Sequence, residues 1–173
     1  PYCVHNLKWI TFFSANNRCI IIGEINHIKN ITESSLEIIK KNQLILCEEF
    51  LPEFSLKHAI RTRRAQNRLN KIITDQKIDF VHVLYATNLP WISRIKVPVV
   101  LTTRGSDVLI DLPHFFTGLS GRIWSYVYSR AIKNLSFITC TSEQQINRMH
   151  KLFSFFEKEN IHLIRTGVDV EKI

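Results

Sequence analysis

The sequence lacks any apolar run approaching the roughly 20 residues that span a bilayer. Its longest runs, "CIIIG" and "VPVVL", suit buried strands instead. No G-x-G-x-x-G occurs, which disfavours a dinucleotide-binding oxidoreductase. The four cysteines, Cys3, Cys19, Cys47 and Cys140, lie far apart and form no C-x-x-C or Cys/His ligand spacing. Beside apolar strands such thiols behave as small hydrophobes, and a reduced, cytoplasmic setting is expected. No carboxylate or His/Cys cluster shows metal spacing, so no metal site is expected. No signal peptide is visible. Pro1 opens the chain and Met149 is its single methionine, so residues are expected before Pro1.

What is present is an ordinary globular composition, 45% hydrophobic and 22% charged over 173 residues. That length builds one well-cored domain and is short for two. The formal net charge of +8 favours an anionic partner: nucleic acid, an anionic membrane surface or a phosphorylated small molecule. Base stacking by nucleic-acid binders would place aromatics among basic residues on a strand. Here the aromatics fall mainly on apolar faces, so nucleic acid is not expected as a partner.

Helical and strand patterns alternate along the chain. Leu7, Ile10 and Phe13, with Trp9 and Phe12, recur at helical spacing before Asn16-Asn17. "RCIIIG", "QLILCEE", "DFVHVL", "VPVVLTT", "SFITC" and "NIHLI" read as strands, with Pro98 tolerated near a strand start. A long polar helix is expected over 56–74 and a cleaner one over 120–134. The latter has Ile123, Trp124, Val127, Tyr128, Ala131, Ile132 and Leu135 on one face. Ser142, with Gln145 three residues on, reads as a capping box. Ile146, Met149, Phe153 and Phe156 form the stripe behind it. Strands this apolar, alternating with helices, predict a parallel sheet covered on both faces, a Rossmann-like α/β fold. Such sheets bind ligands beyond the carboxyl ends of their strands. The loops to watch are therefore 85–88, 103–107, 141–143 and the tail from Arg165.

The loop 103–107 has the richest chemistry. Gly105 permits positive φ or close approach of a ligand. Arg104 is a permanent forked cation suited to phosphate, carboxylate or vicinal hydroxyls. Asp107 can accept from sugar hydroxyls or hold Arg104, and Ser106 can cap the next turn. Taken alone, these four residues read first as an Arg104–Asp107 pair closing a turn.

Three segments in order, "VPVVLTTRGSDVL", "NLSFITCTSEQQINRM" and "NIHLIRTGVDVEKI", resemble the first domain of the family 4 (group 1) glycosyltransferases. The family runs are "P-v-v-x-T-x-H-G-x-D", "a-D-x-v-i-x-v-S-e" and "i-x-v-I-p-N-G-V-D". "DFVHVLYA" resembles the family's "D-v-v-H-x-H" strand, and "HNLKWITFFSANNRCIIIG" its opening helix and second strand. Two departures stand out: Arg104 replaces the histidine of "H-G-x-D", and Leu84 the second histidine of "H-x-H". The resemblance implies the GT-B architecture, two Rossmann-like domains facing across a cleft. Residues 1–173 then form a single acceptor-side domain. Its first strand and the donor-binding domain lie outside the sequence.

The implied activity is a retaining, metal-independent transfer of a hexose-type sugar. It passes from a nucleotide sugar to a glycan or lipid-linked acceptor, as in polysaccharide biosynthesis, with no cofactor. An epimerase-like GT-B domain and a non-catalytic basic module are the alternatives. The resemblance makes Arg104 and Asp107 the candidate catalytic residues. Gly105, Ser106, His82, Trp91 and Ser142 are candidates for sugar or acceptor binding, and Gly167 and Asp169 for the interdomain connection. Arg104 does not deprotonate at neutral pH, so it would orient a hydroxyl or balance phosphate charge. His82 and Trp124 also read as core residues, and Ser142 primarily as a cap.

Lys57, Arg61, Arg64, Arg68 and Lys71 are spaced 4, 3, 4, 3 and share one helical stripe. The stripe is either a solvated face or a contact with anionic lipid, which would make the protein peripheral at the inner face of the membrane.

Overall fold

The computed structural model describes residues 4–23, 31–47, 51–52, 54–55 and 57–164. Gly167 and Asp169 lie outside the described residues. The chain forms two compact units, Pro1–Ala65 and Gln66–Ile173.

The first unit contains α1 (Val4–Ser14), β1 (Ile20–Ile21), α2 (Glu33–Lys41) and β2 (Ile45–Leu46). β1 and β2 pair in parallel, Ile20 opposite Ile45. Leu7, Ile21, Ile39 and Leu44 are its buried centre, with Ile10, Cys19 and Ile38 packed against them. α1 is apolar on more than one side, so one face must stay outside: Phe12 is 80% exposed. α2 was not evident from apolar spacing, because few of its nine residues are apolar. Its ends are well made. The Thr32 hydroxyl accepts from Ser35 N–H, Glu33 sits in the first turn, and Lys40 and Lys41 in the last.

The helix α3 (Ala59–Asp75) starts three residues later than expected. Thr62, Ala65, Gln66, Leu69 and Ile73 are buried along one face. Lys57, Arg61, Arg64, Arg68 and Lys71 are all exposed.

The second unit is built on β3 (Val81–Leu84), β4 (Val99–Thr102), β5 (Phe137–Cys140) and β6 (Ile161–Leu163). They form one parallel sheet in the order β3-β4-β5-β6. Register places Leu84 opposite Thr102, and Thr102 opposite Thr139. Alternation gives the two faces different character. Val83, Val99, Leu101, Ile138 and Cys140 point one way and are buried. His82, Val100, Thr102, Thr139 and His162 share the other face, where polar groups predominate.

Between β3 and β4 runs a 3-10 helix, Ala86–Ile92. Its spacing of three stacks Ala86, Leu89 and Ile92 on one edge, and all three are buried. After β4 come a π-helical turn (Asp107–Asp111), α4 (Leu112–Phe115) and α5 (Gly118–Ile132). Gly121 lets α5 pack closely on the residue that ends α4, since a Cβ there would run into the Phe116 carbonyl oxygen. Tyr128, Ala131 and Ile132 are buried as the apolar face requires, but Ile123 at the edge of that face is 56% exposed. Phe115 stacks on Trp124 at 5.6 Å, and Phe116 meets Tyr128 and Phe153 edge-on. α6 (Glu143–Leu152) packs on β5 and β6. Phe153 and Phe156 fall beyond its end yet remain buried, so the apolar stripe outlasts the helix.

Candidate functional site

The parallel sheet brings three loops to one edge: 85–88 after β3, 103–107 after β4 and 141–142 after β5. Two buried side chains stitch them together. Asp107, 1% exposed, accepts at Oδ1 from the backbone N–H groups of Arg104 (3.0 Å) and Gly105 (2.9 Å). Its Oδ2 accepts from Ala86 N–H at 2.7 Å. One carboxylate thus shapes the turn after β4 and ties it to the start of the 3-10 helix. Gln145, 4% exposed, performs the matching task between β4 and β5. Its Oε1 accepts from Thr103 Oγ1 at 2.6 Å and from Thr141 N–H, and its Nε2 donates to Thr141 Oγ1 at 2.7 Å.

Gly105 adopts φ 114, a conformation an L side chain rarely takes. Arg104 and Gly105 are half-buried and Ser106 is exposed. Ser142 caps α6, its hydroxyl accepting from Gln145 N–H. In a capping box the Gln145 side chain would turn back to the cap residue. It instead reaches Thr103 and Thr141, a role that only the fold reveals.

Beneath the loops a hydroxyl ladder crosses three strands. His82 Nε2 lies 2.7 Å from Thr102 Oγ1, and Thr102 Oγ1 lies 2.7 Å from Thr139 Oγ1. Burial, with a smaller contribution from the Arg104 charge, pushes the His82 imidazole below its ordinary pKa. The neutral ring is therefore the favoured form, and His82 and Arg104 belong to one electrostatic neighbourhood.

Trp91 is placed differently. It is 3% exposed inside the 3-10 helix, packed in the core rather than displayed in a loop. Tyr128 Oη donates to the Thr87 carbonyl at 3.3 Å, and burial pushes this phenol upward, so it stays protonated as a donor. Gln66 on α3 donates to the Pro90 carbonyl and lies 3.1 Å from Ser93 Oγ, anchoring the segment that carries Trp91. Tyr85, at the carboxyl end of β3, has φ 70 and is half-buried. The sequence marked its loop but gave no reason to single it out.

A cavity of about 520 Å³ in the first unit is lined by Arg18, Cys19, Lys41 and Gln43, among others. It sits at the carboxyl ends of α1 and α2. Its lining combines Arg18, Lys41 and Cys19 with neutral polar and apolar residues and holds no carboxylate or histidine.

The four-stranded parallel sheet with flanking helices defines an α/β domain of Rossmann-like type, and its strand-end loops carry the half-buried Arg104 on a glycine turn. The particular family follows from comparison: the model of Glycosyltransferase Family 4 matches residues 40–172, well over half of the chain. The chain belongs to glycosyltransferase family 4, and the matched region is the family's N-terminal GT-B domain. Comparison with curated proteins finds no match.

Proposed function

We propose that this chain is the acceptor-side domain of a retaining, metal-independent glycosyltransferase. It moves a hexose-type sugar from a nucleotide sugar to a glycan or lipid-linked acceptor. The donor is held mainly by a second domain, so residues 1–173 alone are inert in transfer. The observation that carries this reading is the position of Arg104. It stands on a positive-φ glycine turn, at the strand-end edge of a family 4 domain, in place of the histidine of the "H-G-x-D" motif that this loop resembles. Being always charged, it orients an acceptor hydroxyl or balances charge on the departing nucleoside diphosphate.

In this reading Asp107 does not touch substrate. Both its oxygens are engaged by backbone N–H groups, which makes it the residue that positions Arg104. Gly105, Ser106 and His82 line the sugar or acceptor site, with His82 held by Thr102. Ser142 serves as a cap, and Gly167 and Asp169 belong to the interdomain connection. The exposed cations Lys57, Arg61, Arg64, Arg68 and Lys71 hold the protein against anionic lipid, which suits a lipid-linked acceptor.

The test is the Arg104→Ala variant of the enzyme, followed by nucleoside diphosphate release from a panel of UDP-, GDP- and ADP-hexoses. Loss of one such electrostatic group is expected to lower kcat/KM by roughly a hundredfold. A variant with full kcat/KM refutes the assignment.

A further inference from the structure

Among the described residues, three other than glycine have positive φ: Gln43 (51), Lys77 (50) and Tyr85 (70). The first two are explained by helix ends. After α2, Gln43 N–H donates to the Lys40 carbonyl and Leu44 N–H to that of Ile39. After α3, Lys77 and Ile78 repeat the pattern with Thr74 and Ile73. Both are the left-handed closure that commonly ends a helix.

Tyr85 closes no helix. Its φ of 70 comes with ψ 128, outside the small left-handed helical region and costly for any residue with a Cβ. The surroundings hold it there. Tyr85 N–H donates to the Thr102 carbonyl (3.1 Å), Asn88 N–H to the Tyr85 carbonyl (3.1 Å), and Asn88 Nδ2 to the Leu84 carbonyl (2.7 Å). Ala86 N–H is fixed by the Asp107 carboxylate. These bonds explain why the backbone turns at this position. They do not explain a tyrosine, because glycine makes the same turn without strain.

The side chain offers the missing reason. Tyr85 is half-buried, and its hydroxyl neither bonds to a described residue nor is sealed from solvent by one. A strained residue with an unspent ring and hydroxyl stands one position before the Asp107 latch that shapes the Arg104 turn. We infer that Tyr85 is a substrate-contacting residue, with the C–H face of a carbohydrate ring against its aromatic face and a sugar hydroxyl at its phenol. An aromatic body with a polar tip suits that ligand chemistry. The inference rests on the glycosyltransferase reading above.

The test compares Tyr85→Ala and Tyr85→Gly in the enzyme. Binding is read by saturation-transfer NMR with methyl glucoside, methyl mannoside and methyl galactoside, and stability by thermal unfolding. Both variants lack the ring, so both are expected to bind the responsive glycoside roughly tenfold more weakly than wild type. Only glycine relieves the backbone, so Tyr85→Gly is expected to melt about 2–4 °C above Tyr85→Ala. Unchanged glycoside binding in both variants overturns the role of Tyr85 and leaves the family reading intact. A glycine variant melting no higher than the alanine variant overturns the strain argument, and the inference with it. If wild type binds none of the three glycosides, the sugar-site reading itself fails.

Discussion

Asp107 illustrates how burial changes a residue's meaning. In the sequence it stands three positions after Arg104, and either a salt bridge or a sugar contact fits. In the fold three backbone N–H groups converge on it. Asp107→Ala would leave all three without their partner, and buried orphaned donors cost about 1–3 kcal/mol each. We expect that variant to lose about 3 kcal/mol or more, read by urea unfolding. Asp107→Asn sets an amide donor against one N–H and should lose about 1–3 kcal/mol. Equal stability of wild type and both variants would exclude the latch. His82 yields a pH prediction. Its folded pKa lies below the ordinary value of 6.5, so as pH falls past that value the unfolded chain protonates first. Stability from this residue is complete above that point and declines on the acid side. His82→Gln should therefore flatten part of the loss in urea midpoint between about pH 7 and 5. Identical pH profiles would show that another group carries it.

Among the elements, α3 carries the clearest division of labour. Thr62, Ala65, Leu69 and Ile73 point inward, and Arg61, Arg64, Arg68 and Lys71, four cations of the stripe, point out, while Lys57 is exposed in the turn before the helix. Consecutive members lie three or four residues apart, where like charges destabilise a helix by about 0.2–0.5 kcal/mol per pair. No acidic residue occurs in α3 before Asp75 to offset this. An anionic surface would, at about 1 kcal/mol per basic residue close to it. We expect the protein to cosediment with phosphatidylglycerol vesicles at low salt, and to release at high salt. Reversing two charges, Arg64→Glu with Arg68→Glu, should weaken binding roughly thirtyfold or more. Binding to neutral and anionic vesicles that is equally negligible would count the stripe as a solvated face. Element boundaries also show where spacing stops being informative. The 3-10 helix Ala86–Ile92 begins inside the expected loop 85–88, because a proline and a period of three match neither helix nor strand templates. Trp91, a candidate for sugar or acceptor binding by resemblance, is instead drawn into the core with Ala86, Leu89 and Ile92.

At the scale of the whole molecule, the family match and the parallel sheet agree on an N-terminal GT-B domain. No described helix is long and apolar enough to cross a membrane. Sequence by itself determined the parallel α/β class, the strands β3 to β6, the helices α5 and α6 and the loops at the carboxyl edge. Those features follow from local periodicity, and short apolar runs between amphipathic segments have few other ways to bury themselves. Tertiary structure alone decided which polar residues are spent holding the scaffold. Asp107, Gln145 and Gln66 find their partners across loops that only the sheet brings together. Tyr85 becomes conspicuous through a backbone angle that no spacing encodes. Long-range hydrogen bonding and local strain are properties of assembled loops, so the strand-end edge could be located in the sequence but its parts could be told apart only in the fold.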